Sequence, residues 1–217
     1  MSVSFGILII AITLLGYVSN WINWQFLNYK IVRWLYFIGA FIHELSHAVF
    51  AVLLGAKIKE FRIFSSQPRV VHTEPKLPVL GIVLISLAPL FGGLLFFFLS
   101  NHFWLASYFV LPEVLNWQAI LFIPFDLLGQ INILEWQSWV MVLLFLNVGA
   151  MIGPSFKDLK NFWPVLLIFF FINYPPLLNF TYLVLSLILT NIILQFFFIV
   201  LIGLLRFIFR LKRVVIK

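Results

Sequence analysis

The chain has 217 residues, of which 64% are hydrophobic and 10% charged, and its mean hydropathy is +1.12. That balance lies far outside the range of soluble or disordered chains and describes a single polytopic membrane unit spanning residues 1–217. There is no cysteine, so disulfides and thiolate metal centres are excluded and any metal must use His, Asp or Glu. The net charge of +7 does not mean nucleic acid, because the basic residues gather at the ends of apolar runs, as topology signals do.

The first apolar run, about Val3 to Val18, extends to Ile22 and reads as a retained span, without a basic leader or a small-residue cleavage site. A polar, aromatic link from Asn23 to Lys30 follows, where Trp24 and Tyr29, with Trp21 just before them, suit a membrane interface. The second span, Ile31 to Leu54, ends at Gly55, a C-cap candidate. From Ala56 to Pro75 the pattern changes. Lys57 to Phe64 and Arg69 to Thr73 are short β-branched and aromatic segments around a turn-like Ser65-Ser66-Gln67-Pro68, which predicts a β-hairpin at the membrane surface.

The third span, Leu77 to Leu99, carries Pro89 and the pair Gly92-Gly93. Such residues inside a span kink a helix or admit close backbone approach. Asn101 to Glu135 is a long aromatic connection whose apolar piece, Trp117 to Leu128, is too short to cross and reads as interfacial or re-entrant. A fourth span, Trp136 to Gly153, is broken by Pro154. A fifth runs from Phe162 to Tyr174 and a sixth from Phe180 to Leu205, ahead of a basic tail. The expected fold is therefore all-α, with about six transmembrane helices and a small hairpin after the second. Six crossings place both termini on one side. The positive-inside rule makes that side the cytoplasm of a multi-pass cell-membrane protein: loop 56–76 has five Lys or Arg, loop 154–161 two and the tail five, against Lys30 and Arg33 opposite.

Within the second span stands His43-Glu44-Leu45-Ser46-His47. Positions i and i+4 share a helix face, so the two histidines can present nitrogens to one ion, and Glu44 can reach a water there without binding the metal. Ionisable groups at membrane depth are costly and rarely present without a partner or a task, which favours a metal site over a buried polar tie. A catalytic zinc takes three protein ligands. The third must approach from the half of the bundle below His47, which lies seven residues, or roughly 10 Å, above its helix end. Asp126, Glu113, Glu135 and His102 belong to the other side, and His72, Glu60 and Glu74 reach the site only if the hairpin folds back. Asp158, just past the proline break, is the preferred candidate, although spacing alone reads it equally as a solvated acid between Lys157 and Lys160.

The stretch from His43 to Phe64 resembles the active-site helix and following strand of the site-2-protease-like intramembrane zinc metalloproteases, peptidase family M50. Ala88-Pro89-Leu90-Phe91-Gly92 stands where that family has a third-span G-P-L-x-N, and Asn147, Pro154 and Asp158 recur in the family's order. The resemblance covers residues 31–161. It departs at Gly92, which replaces Asn, and at Leu159, which stands where Gly is expected; Pro124-Phe125-Asp126 imitates the ligand tripeptide and keeps Asp126 as the alternative, with His72 behind it. The resemblance implies Zn²⁺ held by His43, His47 and Asp158, with Glu44 as general base and Asn147 as a hydrogen-bond donor to the oxyanion. It implies a transmembrane protein or peptide substrate taken from the lipid bilayer. A catalytically inactive scaffold of the same fold is the rival reading; an ion-relay transporter is disfavoured because the other spans hold no charges. Oligomeric state cannot be read from the sequence.

Overall fold

The computed structural model describes residues 4–26, 37–63, 68–110, 116 and 119–208. Its helices are α1 (Phe5–Phe26), α2 (Phe37–Leu53), α3 (Pro78–Leu99), the short α4 (Ile123–Gly129), α5 (Trp136–Leu144), α6 (Phe156–Phe169) and α7 (Pro175–Ile208). One π-helical turn, Ser100–Trp104, extends α3 and another, Phe145–Gly149, extends α5. Among the described residues, three helical stretches are long and apolar enough to cross a membrane, Phe5–Ile22, Pro78–Trp104 and Pro175–Leu205, and two shorter apolar ones are Phe37–Leu53 and Trp136–Gly149. Large apolar side chains such as Leu134, Phe171 and Phe207 face outward, as they do when the surrounding solvent is lipid.

Local chemistry sets the ends of the elements. Gly55 adopts φ 79°, a left-handed conformation that glycine takes without steric cost, and the chain turns there as Gly55 N–H bonds Val52 O and Ala56 N–H bonds Ala51 O. The hairpin is present as β1 (Ile58–Arg62) and β2 (Arg69–His72), antiparallel, with Phe61 opposite Val70 and an irregularity between Ile58 and Glu60. Most of the expected turn, and the side chains of the interfacial link 23–30, lie outside the described residues. Both strands pack back onto α2.

Helix directions correct the six-span expectation. α3 runs antiparallel to α2, because His47 meets Ile85 while Gly81 approaches Leu54. α5 and its π turn run antiparallel to α3: Phe145 packs on Phe97, and Ile152 lies against Gly93. α6 runs antiparallel to α1, with Tyr17 against Phe156 at one end and Phe5 against Phe169 at the other. Between them Gly149 faces Asn191 on α7, and Gly153 faces Ile12 and Gly16 on α1. Residues 145–169 therefore descend the bundle in one direction as a single broken traverse, not as two spans meeting at a reversing loop. Ser155 explains why: it caps α6 directly after Pro154, so the helix resumes at Phe156, six residues before the expected start.

The second correction follows. Phe5 N–H bonds Ile172 O just before α7 begins, while Ser19 near the other end of α1 meets Asn191 and Gln195. α1 and α7 are therefore parallel, and Phe5 and Ile208 lie toward opposite ends of the bundle. The basic tail beyond Ile208 lies outside the described residues. Phe5 and Ile208, at the ends of α1 and α7, thus do not share a side of the bundle as six crossings would require.

Candidate metal centre

The centre is built where α2 passes the broken traverse. His43 and His47 rise one turn apart on α2, and Asp158 sits at the third position of α6. Their ligand atoms lie within 4.8 Å of one another, and they form a potential metal-binding group among the described residues. His43 Nε2 is 3.8 Å from Asp158 Oδ2, His47 Nε2 is 3.5 Å from Asp158 Oδ1, and the two Nε2 atoms are 3.2 Å apart. The side chains of His43 and Asp158 are 11% and 8% exposed. Asp126 is exposed on α4, and His72 is held in the hairpin with Nδ1 on Thr73 O at 2.7 Å; neither joins the group. Glu113 lies outside the described residues.

Each histidine is fixed through its other nitrogen. His43 Nδ1 lies 2.8 Å from Met151 O, and His47 Nδ1 lies 2.7 Å from Ile85 O. A carbonyl only accepts, so each Nδ1 carries the proton and each Nε2 is left as a lone pair. Two lone pairs and a carboxylate then converge on one point, where a metal ion could be held. The donor set, two imidazoles and one carboxylate with second-shell carbonyls behind the rings, fits a catalytic Zn²⁺.

Those carbonyls are available because two helical ladders are interrupted. In a regular helix Ile85 O would accept the N–H of residue 89, but Pro89 has none and stands inside α3. Met151 O would accept Ser155 N–H, but the break after Gly149 sends that N–H to Asp158 Oδ2 at 2.8 Å. Ser155 Oγ–H donates to the same oxygen at 2.6 Å, and Asp158 N–H donates back to Ser155 Oγ at 3.2 Å, a reciprocal cap that fixes the carboxylate. Helix contacts are close enough to require glycine. A Cβ on Gly39 would overlap the Asn147 carbonyl, and one on Gly92 would overlap Ser46.

Glu44 stands on the same turn as His43, partly exposed, with the backbone of Val70 in β2 near its carboxylate. The hairpin thus folds back along α2 as far as the motif. Asn147 is buried in the π turn, one turn before Met151, with its Nδ2 donating to Leu143 O at 3.1 Å. Sequence reasoning missed the parts played by Ser155, Pro89 and Gly39. Two of them carried a signal: Ser155-Phe156-Lys157-Asp158 spells a capping box, and a proline inside a helix always frees the carbonyl four residues earlier.

The family model described as Peptidase M50B-like matches residues 7–160, a stretch that holds every residue of this centre. No curated protein and no solved structure matches the chain.

Proposed function

Because the chain belongs to the Peptidase M50B-like family, we propose that it is an intramembrane zinc metallopeptidase, hydrolysing peptide bonds in or near transmembrane segments of membrane-anchored substrates. The observation that carries this reading is the convergence of both Nε2 lone pairs and the Asp158 carboxylate on one buried point, with Glu44 one residue from the first ligand. His43, His47 and Asp158 hold the ion. When bound, Zn²⁺ supplies a Lewis acid that polarises the scissile carbonyl and makes water acidic enough to deprotonate near neutral pH.

Glu44 takes the proton of the attacking water and returns it to the leaving amine. The backbone of Val70 lies near this carboxylate, so β2 runs beside the candidate site. An unwound transmembrane segment can extend along that strand by main-chain pairing. Asn147 commits one amide N–H to Leu143 O and keeps the second for the developing oxyanion. The working environment is the bilayer, crossed several times.

The test is Glu44→Gln in purified protein. Zinc content should stay at the wild-type level while cleavage of a transmembrane peptide falls by roughly 10²–10⁴-fold. Turnover at the wild-type rate would remove Glu44 as base. A wild-type chain that holds zinc and cleaves no membrane peptide would favour the inactive scaffold.

A further inference from the structure

The seam between α1 and α7 holds a second polar cluster, and it has no charge. Ser19, Asn191 and Gln195 are 0%, 0% and 2% exposed, enclosed by apolar side chains such as Leu187 and Leu194. Asn191 Nδ2 donates to Ser19 Oγ at 2.7 Å, and Gln195 Nε2 donates to the same oxygen at 2.9 Å. Both amides spend an N–H on one hydroxyl, which leaves their carbonyl oxygens facing elsewhere. Asn191 Oδ1, Gln195 Oε1 and Oδ1 of the adjacent Asn20 are buried and accept no hydrogen bond from any described group. Reversing one amide would give Ser19 O–H an acceptor but would turn that amide's N–H₂ away from Ser19.

Each buried acceptor left without a donor costs about 1–3 kcal/mol, and two such carbonyls one turn apart in the seam favour a ligand that donates. No carboxylate stands among these residues, so a divalent ion has no counter-charge here. Asn191 and Gln195 are one helical turn apart on α7, and each presents an unpaired buried carbonyl oxygen that a molecule with short donors can satisfy. We propose that Ser19, Asn191 and Gln195 form a buried water-binding site in the α1–α7 seam.

The experiment is radiolytic hydroxyl labelling of the full chain in lipid nanodiscs in ¹⁸O water, read by mass spectrometry at Leu187 and Leu194. Bound water is expected to give prompt ¹⁸O incorporation at both residues although they are buried. Asn191→Leu with Gln195→Met should reduce it severalfold while zinc content stays unchanged. If the double variant does not fold, Gln195→Met alone is read the same way. Wild-type protein unlabelled at both positions, or labelling indifferent to the substitutions, would overturn the site. A thermal midpoint raised by NaCl but not by choline chloride at equal ionic strength would assign the carbonyls to sodium instead.

Discussion

Two of the places where the bundle buries polar groups differ in where the surplus lone pairs point. At the α2–α6 centre the ligands are held from behind: both Nδ1 atoms have carbonyls, and Asp158 Oδ2 has two donors from Ser155. What remains is a negative charge and two imidazole lone pairs aimed at one point, the signature of a cation site. In the α1–α7 seam the N–H groups converge and the neutral carbonyls are left over. Burial alone therefore does not identify a catalytic site. Charge and convergence do.

The largest effect that sharpens this contrast comes from removing an imidazole. His43→Ala or His47→Ala should reduce zinc from about one equivalent per chain to background, because two ligands do not retain a catalytic ion against water. Elemental analysis of the purified variants checks it, and full zinc in either would remove that residue from the ligand set. Substitutions in the seam should leave zinc untouched, so the pair of measurements separates the two regions directly.

The next effect tests whether packing sets the centre's geometry. Gly39→Ala places a methyl group on the Asn147 carbonyl, and backbone cannot move aside as a flexible side chain can. The cost should reach about 3 kcal/mol of stability, visible as a lowered thermal midpoint. Zinc affinity should fall with it, since the same segment carries Met151. An unchanged midpoint would mean that α2 and the π turn separate freely.

These positions also show what the sequence disclosed and what it withheld. His43, Glu44 and His47 were legible because helical periodicity is local and a polar triad in an apolar run has few readings. The cap at Gly55 and the hairpin were legible for the same reason: turn chemistry is written in a few adjacent residues. Asp158 was preferred on depth and resemblance, while the feature that fixes it, the Ser155 cap, lay three residues away unread. Helix direction was not legible. Hydropathy measures how long an apolar run is and says nothing of which way it travels, so Pro154 looked like a reversal when it is a break within one traverse. Ile85 and Met151 act through main-chain carbonyls, which no side-chain pattern records.

A smaller effect probes the second shell. Ser155→Ala removes one donor to Asp158 Oδ2 and the acceptor for Asp158 N–H, while Ser155 N–H remains. Loss of such an outer-shell partner should weaken zinc binding about 10-fold to 100-fold. Competition with a chelator measures it, and unchanged affinity would show that the main-chain N–H alone orients the carboxylate.

The smallest effect concerns Pro89, and its direction is more informative than its size. Pro89→Ala restores an N–H that can close the helical ladder onto Ile85 O, the carbonyl that now accepts from His47 Nδ1. A carbonyl has two lone pairs, so the ring need not be expelled; it shares its acceptor and its orientation loosens. Helix propensity works the other way, because replacing an interior proline by alanine removes an unfavourable residue worth about 3 kcal/mol in an isolated helix. The variant should therefore be at least as stable to heat as the wild type and yet bind zinc a few times more weakly. Those opposite signs cannot come from general damage to α3, which would lower both. Unchanged zinc affinity in a stabilised Pro89→Ala protein would show that the kink serves packing alone, and that Ile85 holds His47 without help from the proline above it.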